Sequence, residues 1–274
     1  MALSQGPVGV FDSGVGGISV LRTARVLLPG EDFLYYGDTG HAPYGTKPPE
    51  EVKGYVIRIA EHLMEKGAKA ILIACNTATS VAAETLRATV KIPVIGMEPA
   101  LKPAALLRHG GRILVMATPV TLRLPKFQRL MEQYGEGAVP VPCPGLMEFV
   151  ERGEWDGEGL RNHLKGLLSP FNDESVDAVV LGCTHYVFLK QMIKSLFPPK
   201  TAVLDGNAGT VRQLKRRLAE EVLLRPRETG GQVALETSGD PNVMLPRMEM
   251  LLNLPLDQFD VPQSGQALNP AAIH

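Results

Sequence analysis

Two short segments constrain this chain more than anything else in it. Ile71-Leu72-Ile73-Ala74-Cys75-Asn76-Thr77 and Val179-Val180-Leu181-Gly182-Cys183-Thr184-His185 share one pattern: an apolar run, a small residue, a cysteine, and a threonine within two residues. Neither run alternates with polar residues, so each reads as a strand buried on both faces. Such strands belong to parallel sheets covered by helices on both sides. The cysteines then fall at the carboxyl ends of their strands, where open α/β sheets bind ligands. A thiol there can exchange a proton with a ligand, and two facing thiols can serve opposite faces of one carbon.

The rest of the chain fits that architecture. Further strand-like runs cover 8–12, 33–37, 93–96, 113–117, 138–142 and 202–204, with the two cysteine runs at 70–75 and 178–183. Helical patterns lie between them at 17–28, 49–65, 78–89, 101–107, 124–133, 159–168, 187–196 and 211–224. Alternation of this kind predicts an α/β fold. The stretch Gly96-Met97-Glu98-Pro99-Ala100 reads as a crossover between domains, and Asp205-Gly206-Asn207-Ala208-Gly209 as a turn. A last strand–helix unit, 233–252, is expected to pack back on the first domain, and the tail 261–274 to be loose.

Composition excludes several classes of function. With 28 Lys plus Arg against 29 Asp plus Glu, the net charge is −1 and no basic stripe points to nucleic acid. Eight Phe, six Tyr and one Trp leave little for stacking on bases. No apolar run is long enough to span a bilayer. The start, Met1 to Pro7, has neither the charged nor the apolar part of a secretory signal. Three cysteines in 274 residues make no disulfide framework, which predicts a reducing, cytoplasmic setting.

Several motifs bear chemistry. Gly9-Val10-Phe11-Asp12-Ser13-Gly14-Val15-Gly16-Gly17 ends a strand in Asp-Ser and enters a glycine-rich turn before a helix. It reads either as a tight turn or as an anion-binding loop, but it lacks the P-loop Lys and the full G-x-G-x-x-G spacing. Asp12 needs a partner, solvent or a function, because a carboxylate at a buried strand end is costly. Tyr36 to Gly45 is dense in turn formers and reads as a surface loop, or, through Pro43-Tyr44-Gly45, as a wrap of backbone N–H groups around a small polar ligand. Cys75 and Cys183 each precede an expected helix N-terminus, whose dipole favours a thiolate. Cys143, in Val141-Pro142-Cys143-Pro144, reads as a small buried hydrophobe. No C-x-x-C or H-x-x-x-H spacing supports a metal site.

Taken together, Val10 to Gly17, Pro43-Tyr44-Gly45, Cys75-Asn76-Thr77 and Gly182-Cys183-Thr184-His185 resemble the cofactor-independent glutamate racemases, in that family's order and approximate spacing. The resemblance runs from about Gly6 through Ser238-Gly239-Asp240. It implies two similar, doubly wound, mostly parallel-sheet domains with the active site between them. With the crossover above, the domains become 1–97 plus 208–274 and 98–207. It implies Cys75 and Cys183 as the two catalytic bases, Cys75 acting on D-glutamate and Cys183 on L-glutamate. Asp12 assists Cys75, His185 assists Cys183, and Glu151 matches a further acidic position. Ser13, Pro43, Tyr44, Gly45, Asn76, Thr77, Thr118, Thr121 and Thr184 match substrate-binding positions, together with Asp12 and His185. Leu122-Arg123-Leu124 departs from the family pattern after Thr121.

The resemblance also implies no pyridoxal phosphate or metal, a homodimer, and D-glutamate for peptidoglycan synthesis in a bacterial cytoplasm. A thiol of ordinary acidity is only a few per cent thiolate at neutral pH, so the site must help one thiolate form. An Asp beside Cys75 raises that thiol, so Asp12 fits better as an acceptor from the thiol or from a substrate ammonium. The alternatives are an aspartate or hydantoin racemase, a redox dithiol protein, which would want closely spaced cysteines, and a binding module, which would need neither.

Overall fold

In the computed structural model, which describes residues 3–171 and 175–255, the two cysteine runs become central strands of two separate parallel sheets. The first sheet has the order β4-β3-β1-β2-β9, from β1 (Val8–Asp12), β2 (Phe33–Gly37), β3 (Ala70–Ile73), β4 (Val94–Gly96) and β9 (Val233–Thr237). The second has the order β6-β5-β7-β8, from β5 (Arg112–Ala117), β6 (Ala138–Pro142), β7 (Val176–Leu181) and β8 (Ala202–Asp205). All pairings are parallel. The expected tail at 261–274 lies outside the described residues.

Parallel strands need crossover helices, and the helices supply the apolar cover. They are α1 (Ile18–Leu27), α2 (Pro49–Glu65), α3 (Asn76–Thr89), α4 (Leu101–Leu106), α5 (Pro119–Arg123), α6 (Pro125–Tyr134), α7 (Leu146–Glu151), α8 (Glu158–Leu168), α9 (Lys190–Lys194), α10 (Asn207–Glu220) and α11 (Pro241–Asn253). Alternate side chains of the first sheet serve different cores. Val8, Val10 and Leu72 join the large cluster shared with α1, α10 and the second lobe. Phe11, Ile71 and Ile73 pack with Val52, Val56 and Leu63 of α2 and with Ala82 and Leu86 of α3. Each such side chain contributes about 1.5–3 kcal/mol by leaving water.

Both sheets share one local order, in which the first strand is flanked by the second on one side and the third on the other. The point where the winding reverses therefore lies between β1 and β3 in one sheet and between β5 and β7 in the other. Crevices for ligands open at such points. Asp12 ends β1 and Cys75 follows β3; Thr118 follows β5 and Cys183 follows β7. The last unit also lands as expected, since β9 pairs with β2 on the edge of the first sheet.

Some boundaries differ from the sequence reading. The two cysteine strands stop short of their thiols, at Ile73 and Leu181. Ala74 and Gly182 still donate backbone N–H groups to Phe11 and Met116, at 2.7 Å each, and the chain then turns. The helix expected at 187–196 is a 3-10 helix, Thr184–Leu189, followed by α9. The turn expected at Asp205–Gly209 is in fact the start of α10, at Asn207.

Candidate active site

Cys75 keeps extended backbone angles and acts as the N-cap of α3, its Sγ accepting from the Ala78 N–H at 3.4 Å. Beside it, at the end of β1, Asp12 is buried. Its Oδ1 accepts from the Ser13 N–H at 2.6 Å and the Ser13 hydroxyl at 3.2 Å, while Oδ2 accepts from the Thr184 hydroxyl at 2.9 Å. The last bond crosses from one lobe to the other. Burial pushes the Asp12 carboxyl up, against the opposing pull of His185, Thr184, Ser13 and Cys75. Burial, and then the Asp12 charge, push the Cys75 thiol well above its ordinary value, so this thiol is held protonated.

The other half is built differently. Cys183 stands at the N-cap position of the 3-10 helix Thr184–Leu189 without a side-chain capping bond, and its Sγ lies 3.6 Å from His185 Nδ1. The opposite ring nitrogen, Nε2, is 2.7 Å from Glu151 Oε1, which also accepts from the Val15 N–H at 3.0 Å. Burial opposes an imidazolium at His185, but the hydrogen bonds and charges of Cys183 and Glu151 outweigh it and hold His185 well above its ordinary value. Burial likewise opposes a carboxylate at Glu151, and His185 with the Val15 N–H overcomes it, leaving Glu151 low. A thiol kept neutral by its own burial, and then by a neighbouring carboxyl, thus sits opposite a sulfur backed by an imidazolium and a carboxylate.

The glycine-rich turn exists for this meeting of lobes. A Cβ at Gly14 would overlap Glu151 Oε1, and one at Gly16 would overlap the His185 ring and stand 2.6 Å from Thr184 Oγ1. The turn lets α7 and the Thr184–Leu189 helix close against the loop that follows β1, as a tight strand-to-helix turn would.

Between the halves lies a small, nearly filled cleft lined by Asp12, Ser13, Gly45, Cys75, Asn76, Thr77, Thr118, Thr121, Met147, Gly182, Cys183, Thr184 and His185. Thr121 joins its lobes: its hydroxyl meets Thr77 at 3.0 Å and Thr118 at 2.9 Å. Asn76 is buried, and both polar atoms of its amide lack a partner within the protein. An unpaired buried amide costs about 1–3 kcal/mol, so its place in the cleft wall suits a polar ligand.

The sequence-derived residues do not all reach the cleft. Pro43 and Tyr44 are absent from its lining. Tyr44 is buried in the core beneath, where its hydroxyl donates to Asp38 Oδ2 at 2.5 Å, and it serves to set Gly45 against Thr118. Glu151 acts on His185 without lining the cleft. Cys143 is a buried hydrophobe, its thiol donating to the Val141 carbonyl at 3.3 Å and pushed up to about 12 by burial. Met147 and Gly182 line the cleft unannounced. Met147 rides on α7, too short to show a period, while Gly182 was visible as the counterpart of Ala74. Among the described residues no group of three or more His, Cys, Asp or Glu could hold a metal ion, and no helix is long and apolar enough to cross a membrane.

This geometry has known counterparts. Residues 20–214 match the family model described as Asp/Glu/Hydantoin racemase. A glutamate racemase of Clostridium perfringens is 47% identical over 255 residues, spanning 92% of this chain and 98% of the relative. The chain belongs to the glutamate racemase family. Among solved members of that family, the Thermus thermophilus glutamate racemase in complex with beta-chloro-D-alanine superposes with a TM-score of 0.78 at 37% identity, covering 90% of this chain and 93% of that one. The Francisella tularensis glutamate racemase in complex with D-glutamate gives 0.78 at 28% identity, covering 91% and 94%. The two-lobed fold with a cleft between parallel sheets is thus that of the glutamate racemase family.

Proposed function

We propose that this protein interconverts L- and D-glutamate by a two-base mechanism without a cofactor, with Cys75 and Cys183 as the acid–base pair. The observation that carries this is the placement of two free thiols, one from each sheet, in the wall of a single cleft, each flanked by an ionisable partner. In the L-to-D direction the Cys183 thiolate, backed by the His185 imidazolium, takes the α-proton. The electron pair stays on Cα as a carbanion, and Cys75 delivers its proton to the opposite face. Cys75 leaves as a thiolate, and the reverse reaction exchanges the roles. Asp12 accepts from the Cys75 thiol or the substrate ammonium. Asn76, Thr77, Thr118, Thr121, Thr184, Ser13 and the Gly45 backbone hold the amino acid. Fixed dipoles in a dry cleft stabilise the developing charge.

The two sheets support a division into domains 1–97 plus 208–274 and 98–207, closing on the substrate. The wider role that goes with this reading is supply of D-glutamate for peptidoglycan in a bacterial cytoplasm by a homodimer; light scattering of the purified protein tests the last element. The activity is tested with L-glutamate in D₂O and pyridoxal-free protein, following loss of the α-proton by NMR and appearance of D-glutamate by a chiral assay. Exchange with D-glutamate formation is expected. Folded protein that exchanges neither enantiomer overturns the reading and turns the search to aspartate and hydantoins.

A further inference from the structure

The last helix among the described residues, α11, reaches the Cys183 half of the cleft. Arg22 of α1 is buried and donates to the Leu251 carbonyl at 2.7 Å and the Pro255 carbonyl at 3.1 Å, and also to that of Leu254. Those bonds tie the end of α11 to the first lobe, and the buried Met248 and Leu251 lock its register. One residue before Met248, Arg247 projects the other way and donates through Nη1 to the Glu151 carbonyl. That carbonyl closes α7 on the second lobe, and a helix C-terminus favours a cation. Arg247 therefore touches the backbone of the residue whose side chain holds His185.

We propose that Arg247 is a positioning residue for the Cys183 half-site, fixing Glu151 against His185 and lending it a neighbouring positive charge. The proposal rests on the two-thiol reading above. The groups around the relay are few. Glu151 faces His185, Arg247, the Val15 N–H and, from β2, the Tyr35 phenol; His185 faces Cys183 and Asp12 as well. Arg247 acts on Glu151 in the same sense as His185, favouring the carboxylate. Without it, Glu151 stabilises the imidazolium less, and the imidazolium stabilises the Cys183 thiolate less.

The test measures alkylation of Cys183 by iodoacetamide as a function of pH, with the modified cysteine assigned by peptide mass spectrometry, beside glutamate racemisation kinetics. In Arg247→Met the alkylation midpoint is expected to rise. Meanwhile kcat falls about tenfold and KM stays within about twofold. Arg247→Lys is expected to restore both, and Arg152→Ala, an exposed arginine one residue beyond Glu151, to change neither. A folded Arg247→Met protein with an unmoved midpoint overturns the proposal. Should that variant melt below the assay temperature, Arg247→Gln, which can still donate to the carbonyl but carries no charge, is read the same way: a raised midpoint supports the proposal and an unmoved one overturns it. Because alkylation needs no turnover, a wild-type protein inactive on glutamate would sink the racemase reading while leaving the Arg247 result separately legible.

Discussion

His185 is the residue on which most of the cleft converges. It meets Cys183 on one ring nitrogen and Glu151 on the other, and Gly16 is bare so that the ring fits. Its charge couples to folding. The folded value lies well above the ordinary 6.5, so the stability it contributes is fully present below about pH 6.5 and drains away as pH rises through the folded value. The melting-temperature gap between the protein and His185→Asn should therefore be widest in mild acid and narrow in alkali, but only down to the pH at which Glu151 begins to protonate. Differential scanning calorimetry across pH reads it, and a gap independent of pH would mean that the imidazolium contributes nothing to the fold. Much of this was legible in sequence, because Asp12, Cys75, Cys183 and His185 sit in motifs. The bond from Thr184 to Asp12 was not, since it depends on how two lobes meet rather than on spacing along either.

At the scale of elements, Cys75 has a structural task apart from its chemistry, as the sulfur that caps α3. A serine can accept the same N–H and an alanine cannot. Cys75→Ser is thus expected to keep its stability while losing racemisation. Cys75→Ala should lose activity and, in addition, about 0.5–2 kcal/mol in urea unfolding. Equal stability of the two variants would remove the cap from the account. The same turn explains why the sequence reading ran both cysteine strands too long: the apolar run continues through Ala74 and Gly182, but the ladder ends two residues before each thiol. The short helices α5 and α7 were missed, although the equally short α4 was expected at 101–107, because five or six residues carry little helical period and form only where packing supports them. Long amphipathic elements such as α2 read through to the residue, Pro49–Glu65.

Across the whole molecule, a buried carboxylate that is ion-paired to Lys69 also holds the segment after α10 to the first lobe. Lys69, fully buried just before β3, lies 2.5 Å from Glu31 Oε2, and Glu31 Oε1 accepts from the Arg225 N–H at 2.7 Å. Breaking such a pair from one side strands a charge. Lys69→Met should cost about 3–5 kcal/mol in chemical denaturation, and Lys69→Met with Glu31→Met should recover most of it. A mild effect of the single variant would show that water reaches the pair. Parallel strands could be read from the apolar runs, while their division between two sheets was what the family resemblance implied. The clamp of Arg22 and Arg247 could not be read, because nothing in the local sequence of either arginine says which carbonyl it will find.

The return of β9 to the edge of the first sheet has a consequence for how the protein comes into being. The edge of β2 that receives β9 stays open while the second lobe is being made, and the arginine that meets Glu151 leaves the ribosome later still. Chains emerge at about 5–20 residues per second, so for some seconds a nearly finished molecule carries a bare strand edge and an unbraced relay. Translation stopped short of Val233 would yield a product with both thiols in place and its first sheet still unsealed, a species for chaperones and proteases to judge before it ever meets substrate.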